Sequence, residues 1–267
     1  MPFTISHIAA VLPFRRFLAR FHLLSAAIIG SMVPDFGWLT PWRPARFETH
    51  STVSLLTFSL PVGMATFWIF QRWMQEPLLE LLPDGARSRR TGVRADLRDP
   101  LQWAYAALGV LVGAITHLVW DAFTHEGARG LRLIPSLDDP TVVIGGHHLV
   151  GARLLQDVSS VIGLLVVIGL CAYELRPQRA VAVRVERRLS STERQLWCTG
   201  YVLLAALVSG ALFLADHPDT ARGLSIPLSR AAIAVLRGMA IALLITAFAV
   251  ARRLRSLEVR SERRPRP

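Results

Sequence analysis

Long apolar runs separated by short polar stretches make up most of this chain. Five runs, about 52–73, 101–122, 154–173, 196–215 and 229–251, are long enough to cross a bilayer core, which takes roughly 20 residues as helix. Pro61 and Gly63 sit in the first; membrane helices tolerate both when neighbours satisfy the freed backbone groups. The second holds Gly109 and Gly113, a small-xxx-small spacing that would let another helix approach closely. A sixth run, 23–33, is too short to span comfortably and ends in Pro34-Asp35. The predicted fold is therefore all-α. A polytopic bundle of about five transmembrane helices occupies 52–251, with amphipathic, re-entrant or interfacial helices in 1–51 and a basic tail in 252–267. No internal repeat is visible.

Charge orients the spans. The net charge of +11 comes from 30 basic residues, all of them Arg, as a GC-rich bacterial genome would produce. The connections 72–100 and 174–195 carry six arginines each, and the tail carries seven. The connections 123–153 and 216–228 hold only Arg129, Arg132, Arg153 and Arg222. Cytoplasmic loops are enriched in Lys and Arg, so the first set and the C-terminus read as cytoplasmic, in the bacterial inner membrane, and the second set and the N-terminal region as external. Arg15, Arg16 and Arg20 fit this poorly. If 21–39 spans after all, the chain has six spans, an internal N-terminus, and His7 across the membrane from the other polar motifs. The arginines follow loops rather than forming a stripe, which excludes nucleic acid as a partner and leaves membrane lipids. Cys171 and Cys198 lie inside apolar runs and read as buried packing residues, not a disulfide. The first residues lack the basic-then-apolar order of a cleavable signal peptide.

Four polar motifs stand out: Ser6-His7, Pro34-Asp35, Thr49-His50-Ser51, and Thr116-His117-x-x-x-Asp121-x-x-x-His125. In the last, residues four apart share a helix face. His117 and His125 would lie about 12 Å apart along a continuous axis, too far to share one ion, yet each could share one with Asp121. The five-span topology puts Asp35, His50, His117, Asp121 and His125 at one external level. Imidazole and carboxylate ligands without thiolate suit a divalent metal, zinc first, then manganese or iron. Such an ion polarises an ester or phosphoryl oxygen and acidifies water. The competing reading is a buried hydrogen-bond network, but ionisable groups inside a membrane are costly enough to favour function. The metal candidates are His7, Asp35, His50, His117, Asp121 and His125; the catalytic candidates are Asp121 and Glu126. Glu48 is a second candidate base, both acids competing with a reading as solvated loop residues. His147 and His148 could fold back as further ligands, and Gln156, Asp157, Ser159 and Ser160 could line the same cavity. Gly127 and Gly130 suggest that the helix stops near His125.

The phrases MPFTISHIAAVLPFRR, GSMVPDF, THS and THLVWDAFTHEG resemble a bacterial family of integral membrane proteins defined by domain of unknown function 4184, over at least residues 1–170. The order His, Pro-Asp, Thr-His-Ser, His-x-x-x-Asp is more distantly similar to YdjM-type membrane-bound metal-dependent hydrolases. That likeness implies His7, Asp35, His50, His117 and Asp121 as ligands. A further His after the Asp is similar to zinc-dependent phospholipase C and P1-type nucleases, and falls on His125. No His-x-x-x-Glu follows here, so a three-zinc site is not implied. The expectation is a membrane-bound metal-dependent hydrolase acting on a lipid or phosphate ester at the outer face. An ion or small-molecule transporter and a non-catalytic scaffold are the alternatives. The pattern specifies no oligomeric state.

Overall fold

The computed structural model describes residues 4–40, 44–83, 95–125, 127–137, 140–144, 147–176, 188–215 and 225–262. Its helices are α1 (Ile8–Val11), α2 (Arg15–Arg20), α3 (Leu24–Met32), α4 (Arg46–Thr49), α5 (Leu60–Ile69), α6 (Gln75–Leu81), α7 (Pro100–Thr124), α8 (Gly151–Leu175), α9 (Ser191–Ala215) and α10 (Ser225–Glu262). One antiparallel hairpin, β1 (Pro140–Ile144) with β2 (His147–Val150), interrupts the all-α pattern. The chain forms two compact units, 1–67 with 95–173, and 68–94 with 174–267.

Among the described residues four helices are long and apolar enough to cross a membrane: α7, α8, α9 and, within α10, Ala231–Val259. Their apolar side chains face outward, with Leu165 61%, Leu207 71% and Leu214 68% exposed. Helices apolar on their outer faces need lipid rather than water around them. The first expected span is also helical, from Leu55 to Leu81, but two π-helical turns, Leu55–Ser59 and Phe70–Met74, break its regularity. Cys171 and Cys198 are free as expected but exposed, not buried. An apolar position on a spanning helix faces lipid as readily as protein. At the C-terminus, α10 runs through residue 252 without a break.

In the first unit α7 is the spine. Asp99 caps it by accepting from Leu101 N, and Pro100 opens it, where its missing N–H costs nothing. The N-terminal region folds against α7 as a helical hairpin. Its tip follows α2: His22 takes a left-handed φ of +58°, Leu23 N donates to Leu18 O, and His22 N donates to Ala19 O, the paired closure of a helix end. From that tip α3 returns beside α7 in the same direction, Leu23 set against Gly109 and Ala27 against Gly113. A β-carbon on Gly113 would lie 2.0 Å from Ala27 O, and one on Gly30 2.2 Å from Val110 O. The small residues thus do what their spacing predicts, with α3 as the partner. The tip packs with Val11, Leu18 and Tyr105, about 12 Å or more along the axis from His117. His7 and Asp35 stand at the ligand end of α7, while the tip lies toward its start. The Leu24–Leu39 stretch is a short apolar helix. The six-span alternative would separate His7 from the other ligands, whereas His7 lies beside Asp121 and His117.

In the second unit the three arginine-rich connections meet. Arg188 pairs with Glu76, with Glu80 at 3.4 Å and with Glu258 at 2.6 Å, and Arg253 pairs with Glu193 at 2.7 Å. Leu189, Val250 and Leu254 pack beside them. These segments belong to 72–100, 174–195 and the tail, which the arginine distribution assigned to one side.

Candidate metal centre

Four separate pieces of the first unit bring their polar residues to one point. His7 closes the opening 3-10 turn Thr4–His7. Asp35 lies in the 3-10 turn Val33–Leu39 that extends α3. His50 follows α4, and the next turn is locked by Ser51 and Ser54, each backbone N–H donating to the other's hydroxyl at 2.9 and 3.1 Å. His117 and Asp121 lie on α7. All five are buried to below a tenth of their side-chain surface.

Two overlapping sets of three ligand atoms lie within metal-sharing distance: His7, His117 and Asp121, and Asp35, His50 and His117. His117 Nε2 is 3.6 Å from Asp121 Oδ2 and 3.8 Å from Asp35 Oδ1. His50 Nε2 is 3.4 Å from Asp35 Oδ1 and 3.7 Å from Asp121 Oδ2. His7 Nε2 is 3.7 Å from Asp121 Oδ1, and its ring stacks on that of His117 at 3.8 Å.

Hydrogen bonds at the outer ring nitrogens aim the inner ones. His117 Nδ1 lies 2.8 Å from Ser31 O; a carbonyl only accepts, so Nδ1 carries the proton and Nε2 presents its lone pair. Thr49 donates its hydroxyl to Arg46 O at 3.3 Å and lies 2.6 Å from His50 Nδ1, so it accepts there and His50 Nε2 is likewise bare. This is the outer-shell arrangement that orients metal-binding imidazoles. The donor set passes a physical test for a cation: His117 Nε2 and Asp121 Oδ1 are buried with no hydrogen-bond partner, a costly state unless something else engages them. Burial pushes the His7 pKa down to about 4, leaving a neutral imidazole able to ligate. The two sets share His117 Nε2, and His117 Nδ1 is committed to Ser31. One imidazole lone pair serves one ion, so these five residues could hold one ion between them.

The helix ends at Thr124, and His125 is extended (φ −112°, ψ 136°); Gly127, with φ +68°, turns the chain away. His125 Nδ1 sits 3.4 Å from Asp121 Oδ1 and its Nε2 2.9 Å from Gln156 Nε2. With the amide donating to Nε2, Nδ1 carries the proton and makes no hydrogen bond to Asp121 Oδ1, and His125 lies outside both ligand sets. Burial outweighs the upward pull of Asp121 and brings its pKa down to about 4. Gln156 therefore does reach the cluster, and Ser159 accepts from Trp120 Nε1 at 3.2 Å. Asp157 turns to Arg153 instead, at 3.4 Å. Glu48 accepts from Ala45 N at 2.6 Å and serves to close the start of α4. Glu126 lies outside the described residues, as do the side chains of His147 and His148, whose backbone pairs in the hairpin.

The sequence reading missed Arg46, whose Nη2 lies 3.0 Å from Asp121 Oδ2, and Trp38, which with His7, Asp35, Arg46, His50, Asp121 and His125 lines an open pocket. The signal for Arg46 was available: an arginine four residues before His50, on the side where arginines are sparse.

No curated protein and no solved structure matches the chain, so the YdjM-type, phospholipase C and P1-type likenesses gain no support from comparison. The family likeness does. The model of Domain of unknown function (DUF4184) matches residues 1–248, and the chain belongs to that family.

Proposed function

We propose that this protein is a membrane-embedded, metal-dependent hydrolase that acts on a lipid or other phosphate ester at the outer face of the bacterial inner membrane, with its C-terminus cytoplasmic. The observation that carries the reading is the buried donor set of His7, Asp35, His50, His117 and Asp121, in which His117 Nε2 and Asp121 Oδ1 have no hydrogen-bond partner and all but His117 line an open pocket. His7, Asp35, His50, His117 and Asp121 would hold one divalent ion, zinc in the first instance, with manganese or iron able to use the same nitrogen and oxygen ligands. A divalent ion supplies Lewis acidity toward a phosphoryl or carbonyl oxygen and acidifies water at neutral pH. The chain's own residues do the rest. Ser31 O and Thr49 fix the tautomers of His117 and His50. His125 is held beside Asp121 by Gln156. The apolar outward face of the helices keeps the pocket at the lipid surface, where an ester headgroup is within reach.

The test is elemental mass spectrometry on protein purified in mild detergent, beside a His117→Ala/Asp121→Ala variant. Near-stoichiometric zinc, manganese or iron, one per chain and lost from a folded variant, supports the centre, and metal-dependent turnover of a phosphate ester then supports the activity. No metal in either protein, even after reconstitution, refutes it and leaves the cluster a polar network holding helices together.

A further inference from the structure

The charge count around the pocket identifies what a loaded centre would attract. Its lining includes two carboxylates, Asp35 and Asp121, and one permanent cation, Arg46. A divalent ion held by neutral imidazoles brings the sum of ion, carboxylates and guanidinium to +1. Of these charged groups Arg46 is the one that faces outward. The Arg46 side chain is 48% exposed, whereas that of Asp121 is 8% exposed. Arg46 Nη2 rests on Asp121 Oδ2, the oxygen nearest His50 Nε2 and His117 Nε2. An ion held by those same groups competes with Arg46 for that oxygen, and the guanidinium becomes available at the rim. Arginine's planar fork suits a phosphate's paired oxygens better than a point charge does. The cavity itself is only about 30 Å³, so an anionic group would be met at its open mouth rather than inside it. Beside it Phe47 projects with 73% exposure, an apolar surface for whatever the anionic group is attached to.

We propose that Arg46 is the anion-recognition residue of this site, and that the ligand it selects carries a negatively charged phosphoryl group at the pocket mouth; this rests on the metal centre proposed above. Arg46 is then a binding residue, released from Asp121 by the ion and engaged by the ligand. A neutral carboxylic ester would gain nothing from it. The phosphoryl group could belong to a membrane lipid headgroup or to a soluble phosphate, and the two sources are separable by experiment.

The measurement is calorimetric binding of inorganic phosphate, and separately of short-chain phosphatidic acid, to zinc-reconstituted wild type, Arg46→Gln and Arg46→Lys in detergent, with metal content determined on each sample. The expected result is saturable binding to wild type, weakened about tenfold or more in Arg46→Gln and less in Arg46→Lys, with one metal per chain in all three. Tighter binding of the lipid probe assigns the group to a headgroup; equal binding assigns it to a soluble phosphate. Equal affinity in wild type and Arg46→Gln at full metal content overturns the inference and leaves the centre standing. Loss of metal from both variants also overturns it, because Arg46 then serves Asp121 rather than a ligand. Absence of metal from wild type removes the centre itself, a failure distinct from both.

Discussion

Gly113→Ala puts one methyl group into the contact that builds the site. The new β-carbon would fall 2.0 Å from Ala27 O and 2.6 Å from Ser31 N. Contacts under 3.0 Å are essentially never adopted, and both partners are helical backbone that cannot rotate aside, so α3 must withdraw by about 1 Å. Ser31 O moves with it. Its 2.8 Å contact with His117 Nδ1 would stretch to about 3.8 Å, beyond hydrogen-bond reach. Overpacking of this kind costs about 1–3 kcal/mol, and leaving a buried donor unsatisfied costs about 1–3 kcal/mol more. Alanine's better helix propensity returns about 1 kcal/mol, so the balance stays unfavourable. The consequence for the metal is larger than for the fold, because Asp35 follows α3 directly and His117 loses the bond that fixes its tautomer. The assay is thermal unfolding with parallel metal analysis in detergent, with Gly169→Ala as control, where an added β-carbon meets nothing within 4 Å. Gly113→Ala should unfold at a lower temperature and lose metal while Gly169→Ala keeps both. A Gly113→Ala protein with wild-type stability and full metal would refute the coupling of helix approach to ligand geometry.

Three further predictions bear on the cluster and on the second unit. Asp121→Asn keeps the shape of the side chain and removes its charge; it should bind metal more weakly by at least the ~100-fold that outer-shell changes alone can cost, and should abolish metal-dependent hydrolysis in a protein that circular dichroism shows to be folded. In metal-free protein, His7 has a folded pKa of about 4 against 6.5 unfolded, so the unfolded chain takes up its proton first as pH falls. The contribution is complete above pH 6.5 and is lost through pH 4. The 2.5-unit difference corresponds to about 3 kcal/mol. Chemical denaturation of wild type and His7→Asn across that window should show the variant losing less stability, and parallel losses would count against a neutral buried His7. Arg188→Met leaves Glu76, Glu80 and Glu258 facing one another, with Glu80 1% exposed. Removing one partner of a buried pair costs about 3–5 kcal/mol, here reduced by the partial exposure of Arg188. A second change, Glu80→Gln, should restore much of the loss in unfolding experiments, and no rescue would show that the network does not act as a unit.

Much of this was legible because membrane proteins concentrate their signals. Apolar run length gave four of the five expected spans, and arginine distribution grouped the connections that Arg188, Glu76, Glu80 and Glu258 join in space. The ligand residues were legible as polar exceptions in apolar surroundings. What the chain did not reveal was long-range. Nothing near His117 in sequence says that its Nδ1 meets the carbonyl of Ser31, 86 positions away. Cys171 and Cys198 misled because apolar surroundings in sequence do not distinguish protein from lipid. Arg46 was passed over because its partner, Asp121, is 75 residues distant.

Two motifs treated separately in sequence turn out to be one device. Gly109, Gly113, His117 and Asp121 fall at every fourth position, along a single i±4 ridge of α7. The lower half of that ridge has no side chains, so α3 settles against bare backbone. The upper half carries the ligands, so the same helix, continuing past the point of closest approach, delivers Ser31 O to the outer nitrogen of His117 and then Asp35 to its inner one. Close packing and ligation are thus consecutive stretches of one interface. A spacer that lifted α3 by a methyl group would misplace two ligands, while a ridge of ligands without the glycines beneath would have no partner helix to complete it.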